Sequence, residues 1–297
     1  MYMGSIARRS AAVLSSALLA AAVAVGVGAG EASAAPTTLG PGAEYVNLGD
    51  SYSAASGVVP MVPGTNPLCS QSENNAAHLI ARAGGFRLTD VSCGGAKTSD
   101  FFGAQYPGLQ PQLAALGPNT KLVTLLIGGN DENVFGMTVA ECVAMGATTG
   151  YTGHPCQDRY GSSIADTINT QTYPNLVNAY RAIRAHAPNA TVAVINYPSI
   201  LPNKAQACAG FPVAPGDVPY TYGLQKALND AISRAAKTVG FTVVDAASAS
   251  VGHDSCQPVG VRWVEPLVTD QQMVPVHPNA LGERQMAMLA GKALGLK

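Results

Sequence analysis

The chain holds 297 residues, 47% of them hydrophobic and 12% charged, with 17 Lys and Arg against 18 Asp and Glu. That length buries a substantial core, and the 32 Gly and 20 Pro stay below the proportion of disordered or collagen-like chains. A net charge of -1, with no Lys/Arg cluster, excludes the electrostatic footprint of a nucleic-acid binder.

The N-terminus reads as a cleavable export signal over residues 1–34. Arg8 and Arg9 precede an apolar run from Ala11 to about Ala29, and Ala32-Ser33-Ala34 supplies a small-x-small cleavage site. The run is long enough to span a bilayer, but it is built from Ala and Gly rather than Leu, Ile and Phe. Export is therefore expected, with a secreted single domain over 35–297 and no stable membrane insertion after cleavage.

Short apolar runs then alternate with helical stretches. Glu44–Leu48, Leu88–Ser92, Leu122–Ile127, Thr191–Asn196 and Phe241–Asp245 read as strands, rich in Val, Leu and Thr and ended by turn residues. Helices are expected near Asn74–Ala83, Pro111–Leu116, Ser162–Ala187 and Tyr220–Val239, and from Asn279 to about Ala293. In the fourth, Leu224, Ala227, Leu228, Ala231 and Ala235 recur at three- and four-residue spacing. This alternation predicts an α/β fold: three layers, doubly wound around a mainly parallel five-stranded sheet. No internal repeat or linker divides it.

Six cysteines remain: Cys69, Cys93, Cys142, Cys156, Cys208 and Cys256. An even count behind an export signal argues for disulfides, and the lack of CxxC or HxxxH leaves no metal site. Fifteen pairings are possible. Cys69 and Cys93 follow the first two strands, and Cys208 and Cys256 follow the last two. Neighbouring strands then favour 69–93 and 208–256, leaving 142–156 to staple one excursion.

In such sheets the working loops lie beyond the strand C-termini. Gly49-Asp50-Ser51-Tyr52-Ser53 follows the first strand, where a serine at a helix start is either exposed for chemistry or an ordinary cap. Ser92-Cys93-Gly94-Gly95-Ala96 follows the second. It is no phosphate loop, because Ala96 stands where Walker A needs Gly before Lys97. Gly128-Gly129-Asn130-Asp131 follows the third; Asn130 can donate to an oxyanion, and Asp131 is expected to tie the loop together. His277-Pro278-Asn279 opens the last helix, whereas His78 and His186 fall on helices and His154 and His253 in other loops.

Taken in order, these four blocks resemble the SGNH, or GDSL-type, serine hydrolase family, with GDSY in place of GDSL. The resemblance spans about Glu44 to Leu294. The six cysteines and Arg262-Trp263-Val264-Glu265-Pro266 look like its secreted actinobacterial lipases and esterases. The resemblance implies a serine ester hydrolase working without a cofactor on a lipid or small acyl ester, as a monomer. Ser51 would be the nucleophile and His277 the base, with the oxyanion held by Ser51 N–H, Gly95 N–H and the Asn130 side chain. Asp50 would be structural.

One position departs from the family pattern. The usual orienting acid lies three residues before the histidine, and here that residue is Val274. A Ser51–His277 dyad is expected, with the Val274 main-chain carbonyl orienting the ring and Asp270 or Glu265 as the alternative. Activity is expected to rise through about pH 6–7, where an ordinary histidine loses its proton. The alternatives within the fold are a phospholipase A1 or lysophospholipase, a carbohydrate deacetylase, or a non-catalytic envelope-binding protein.

Overall fold

The computed structural model describes Met1 and residues 39–296, so the expected export signal lies outside the described residues. Five strands form one parallel sheet: β1 (Glu44–Gly49), β2 (Arg87–Asp90), β3 (Leu122–Leu126), β4 (Thr191–Ile195) and β5 (Thr242–Val244). Their spatial order is β2-β1-β3-β4-β5, with Tyr45 opposite both Leu88 and Leu122. β1, β3 and β4 are buried almost residue by residue rather than alternately, as strands covered on both faces must be. Two helix pairs supply that cover. α2 (Ala76–Gly84) packs on α5 (Ala280–Ala293), and α3 (Tyr173–His186) packs on α4 (Val218–Thr238). Among the described residues no helix is long and apolar enough to cross a membrane.

Two expectations change in detail. The helix expected over Ser162–Ala187 is broken: Ser163–Thr167 runs into a wide π-type turn at Ile168–Thr172 before α3. Pro174 explains it, since it has no N–H to continue the helical ladder at the start of α3. The Pro111–Leu116 stretch is a single 3-10 turn over Gln112–Ala115.

Three disulfides join Cys69 to Cys93, Cys142 to Cys156 and Cys208 to Cys256. Such bridges fit a chain that matures outside the reducing cytosol. The middle one staples two short helices, Cys142–Thr148 and Pro155–Tyr160. The buried Asp217 carboxylate accepts from Cys156 N and Gln157 N, both at 2.9 Å, at the N-terminus of the second. A satellite core of Ile200, Leu201, Phe211, Val218, Val264 and Val276 lies beneath these loops.

Sheet order positions the site. The chain winds one way from β1 to β2 and the other way from β3 onward, so the β1/β3 boundary is the switch point where such sheets open a crevice. The Ser51 loop leaves β1, between the Gly95 loop after β2 and the Asn130 loop after β3.

Candidate active site

β1 ends at Gly49 in a backbone conformation reserved for glycine. Its φ is +123°, and a Cβ there would lie 2.3 Å from Leu126 O. The Gln112 amide grips this residue twice, accepting from Gly49 N at 2.7 Å and donating to Gly49 O at 2.9 Å. The chain then turns into α1 (Ser51–Ala54), capped by Asp50, whose carboxylate accepts from Tyr52 N at 2.9 Å. Ser51 therefore sits at the first position of a short helical turn.

Asp50 is buried, and its other oxygen accepts from the Tyr197 hydroxyl. Burial pushes its pKa up to about 7, against the opposing pull of the Tyr197 and Tyr52 donors. Tyr197 in turn accepts from Gly129 N at 2.7 Å, so one phenol joins the serine turn to the Asn130 loop. Neither Asp50 oxygen bonds His277; the carboxylate anchors loops.

The histidine arrives from the far end of the chain. His277 Nε2 lies 2.8 Å from Ser51 Oγ, and Nδ1 lies 2.8 Å from Pro275 O. The latter contact requires a proton on Nδ1, which leaves the Nε2 lone pair facing the serine hydroxyl. Burial lowers the His277 pKa, partly offset by the Pro275 carbonyl.

The orienting group is thus the Pro275 carbonyl and not that of Val274. Val276 has a φ of +57°, which folds the chain back and brings the carbonyl two residues before the histidine onto its ring. The Val274 carbonyl instead accepts from Gln272 Nε2 at 2.7 Å. Asp270 does not reach the ring either: it is exposed and accepts from Gln271 Nε2 at 2.6 Å. Glu265 is buried among donors, accepting from Arg262, from Thr269 at 2.8 Å and from Asn279 at 2.8 Å. Burial would raise its pKa, but these donors outweigh it and hold the carboxyl below the usual range.

Backbone pairing holds the histidine loop in place. Glu265 N donates to His277 O at 3.0 Å and Val276 N donates to Glu265 O at 3.1 Å. A left-handed β-branched residue costs about 1–3 kcal/mol, and Tyr52 helps to hold it: its buried hydroxyl donates to Val276 O at 2.6 Å. The Tyr52 ring also lies 4.9 Å from the His277 ring. Tyr52 was not singled out in the sequence, where the only signal was its place beside the serine.

The two oxyanion candidates lie on loops fastened to each other. Asn130 Nδ2 donates one hydrogen to Ala96 O at 3.0 Å, leaving the second available. Asp131, whose pKa burial pushes up to about 6, accepts from Thr98 N at 2.8 Å and Thr98 Oγ1 at 2.5 Å. Gly95 is exposed, with a φ of +76°, and no acceptor among the described residues takes its N–H or that of Ser51.

An apolar cavity of about 50 Å³ lies among the side chains that follow the Asn130 loop and β4. Phe135 and Tyr197 line it, and the Phe135 ring lies 6.3 Å from His277 and the Tyr197 ring 5.0 Å from Tyr52. Val139, Leu201, Phe211 and Leu224 continue its walls.

Comparison with known proteins places the chain among lipases by sequence and fold. A lipase called Lipase 2 from Streptomyces coelicolor is 50% identical over 276 residues, covering 92% of this chain and 93% of the relative. The crystal structure of phospholipase A1 from Streptomyces albidoflavus aligns with a TM-score of 0.71 at 28% identity, over 85% of this chain and 99% of that one. The extracellular lipase of Streptomyces rimosus aligns with a TM-score of 0.71 at 26% identity, over 84% and 99%. The family model described as GDSL-like lipase/acylhydrolase matches residues 48–285, and the chain belongs to that family.

Proposed function

We propose that this serine ester hydrolase uses Ser51 as nucleophile and His277 as its general base, with no carboxylate in the relay. The 2.8 Å contact between Ser51 Oγ and His277 Nε2 carries the reading. His277 takes the Ser51 proton as Oγ attacks the ester carbonyl, and the carbonyl oxygen becomes an oxyanion. Ser51 N–H, Gly95 N–H and the free Asn130 Nδ2 hydrogen stabilise it; one such donor is typically worth ~10²–10³ in turnover. His277 then protonates the leaving alcohol, and water releases the acyl group by the reverse sequence. The Pro275 carbonyl fixes the ring's tautomer and orientation without a full opposing charge.

The substrate is an acyl ester whose chain enters the apolar cavity between Phe135 and Leu224. About 50 Å³ is a third of the ~150 Å³ of an apolar cavity that takes benzene, so short chains fit first and longer ones leave along the open side. The enzyme is secreted, consistent with its disulfides and its relatives. Hydrolysis of p-nitrophenyl esters from acetate to palmitate, with phosphatidylcholine as a separate arm, tests the assignment. Leu224→Ala should move the optimum to longer chains and Val139→Trp to shorter ones. An optimum unmoved by both would place the acyl chain elsewhere.

A further inference from the structure

The oxyanion loop after β2 is a four-residue turn, Cys93-Gly94-Gly95-Ala96, closed by Ala96 N donating to Cys93 O at 3.1 Å. Gly95 has a φ of +76°, whereas Gly94 is outside the left-handed region. That combination is a type II turn. With glycine at both central positions, the alternative type I turn is also open to this segment. The two differ by a flip of the central peptide, which carries both Gly94 C=O and Gly95 N–H. A flip would replace the proposed oxyanion donor with a carbonyl oxygen.

The ends of the turn are held in ways a flip would not disturb. Cys93 is bonded to Cys69, Gly94 N donates to Cys69 O at 2.9 Å, and Ala96 O accepts from Asn130. None of these touches the central peptide. Gln105 does: its Nε2 donates to Gly94 O at 2.7 Å. The same amide's Oε1 is buried and without a partner among the described residues, so the side chain's one hydrogen bond is to that carbonyl. Leaving a buried amide oxygen unpaired is costly, and here the cost accompanies aiming the NH₂ group at the turn.

We propose that Gln105 is a positioning residue for catalysis: by holding Gly94 O, it locks the turn in the form that presents Gly95 N–H to the oxyanion. The proposal rests on Ser51 acting as the nucleophile. Gln105 touches no reacting atom and acts through the peptide it holds.

The test compares wild type, Ser51→Ala, Gln105→Leu and Gln105→Glu. Four quantities are followed: kcat, KM, Tm, and affinity for an alkylboronic acid, whose tetrahedral Ser51 adduct puts an oxygen in the oxyanion position. Gln105→Leu should lower kcat by ~10- to 10²-fold, below the full worth of one oxyanion donor. Boronate affinity should fall by a similar factor, with KM within about threefold and Tm nearly unchanged. Gln105→Glu should be worse, because its carboxylate repels the Gly94 carbonyl. An unchanged kcat in Gln105→Leu, a kcat loss without weaker boronate binding, or a loss that tracks Tm would overturn the proposal. Retained hydrolysis in Ser51→Ala would instead overturn the nucleophile assignment on which it depends.

Discussion

Tyr52→Phe removes one oxygen from the site and leaves the ring against His277 and Tyr197. The lost bond, Tyr52 hydroxyl to Val276 O at 2.6 Å, is worth ~0.5–1.5 kcal/mol net, and a buried carbonyl left without its donor costs ~1–3 kcal/mol. Val276 sits at a φ of +57°, a conformation costing about the same ~1–3 kcal/mol. Because the two quantities are similar, removing the bond leaves a strained residue free to relax, and His277 is the next residue. A shift of ~1–3 kcal/mol against the competent arrangement lowers kcat by ~5- to 150-fold. Tm should fall by ~2–4 °C per kcal/mol for a domain of this size. Steady-state hydrolysis of a p-nitrophenyl ester, together with thermal unfolding, measures both. A variant with wild-type kcat would refute the reasoning and leave the Glu265 backbone pairing sufficient to hold the loop.

Two further outcomes follow from the histidine's surroundings. Asp270→Asn should stay within a few-fold of wild type, because Asp270 is exposed and bonded to Gln271; a loss near ~10³-fold would make it the third catalytic member. Burial depresses the His277 pKa, so the base stays neutral to lower pH than a free imidazole does. The acid limb of kcat/KM should have its midpoint below ~6.5, with a plateau above, and a midpoint at 7 or higher would contradict that environment. The linked stability has the same direction. It is present above ~6.5 and is lost as pH falls through that value towards the folded pKa, since the unfolded ring binds the proton more readily.

β1, β3 and β4 were legible because parallel strands buried on both faces read as continuous apolar runs, whereas β2 alternates between exposed and half-buried residues. Three of the blocks stand where a strand ends, so residue order placed Ser51, Gly95 and Asn130 at one sheet edge, while the His277 block opens the last helix. The histidine's orienting group was not legible. Counting back three residues to Val274 assumes a regular chain, whereas Val276 turns left-handed and substitutes the Pro275 carbonyl. Such a conformation in a β-branched residue leaves no pattern in sequence. The apolar cavity was hidden for a related reason. Its walls include Phe135 and Val139, in short helical pieces around a π-type turn at Met137–Glu141, and neither helical nor strand periodicity survives there. Tyr197 and Gln105 were also invisible, and Tyr52 showed only as the last residue of GDSY, since each bonds a partner distant in sequence or a main-chain carbonyl.

The most direct measurement is hydrolysis by Ser51→Ala beside wild type, with a serine-directed phosphonate used to label both proteins. Ser51 as nucleophile predicts a loss of at least ~10⁴-fold, with the adduct on the wild-type peptide containing Ser51 and none on the variant. Near-wild-type hydrolysis by Ser51→Ala, or an adduct on another residue, would contradict it.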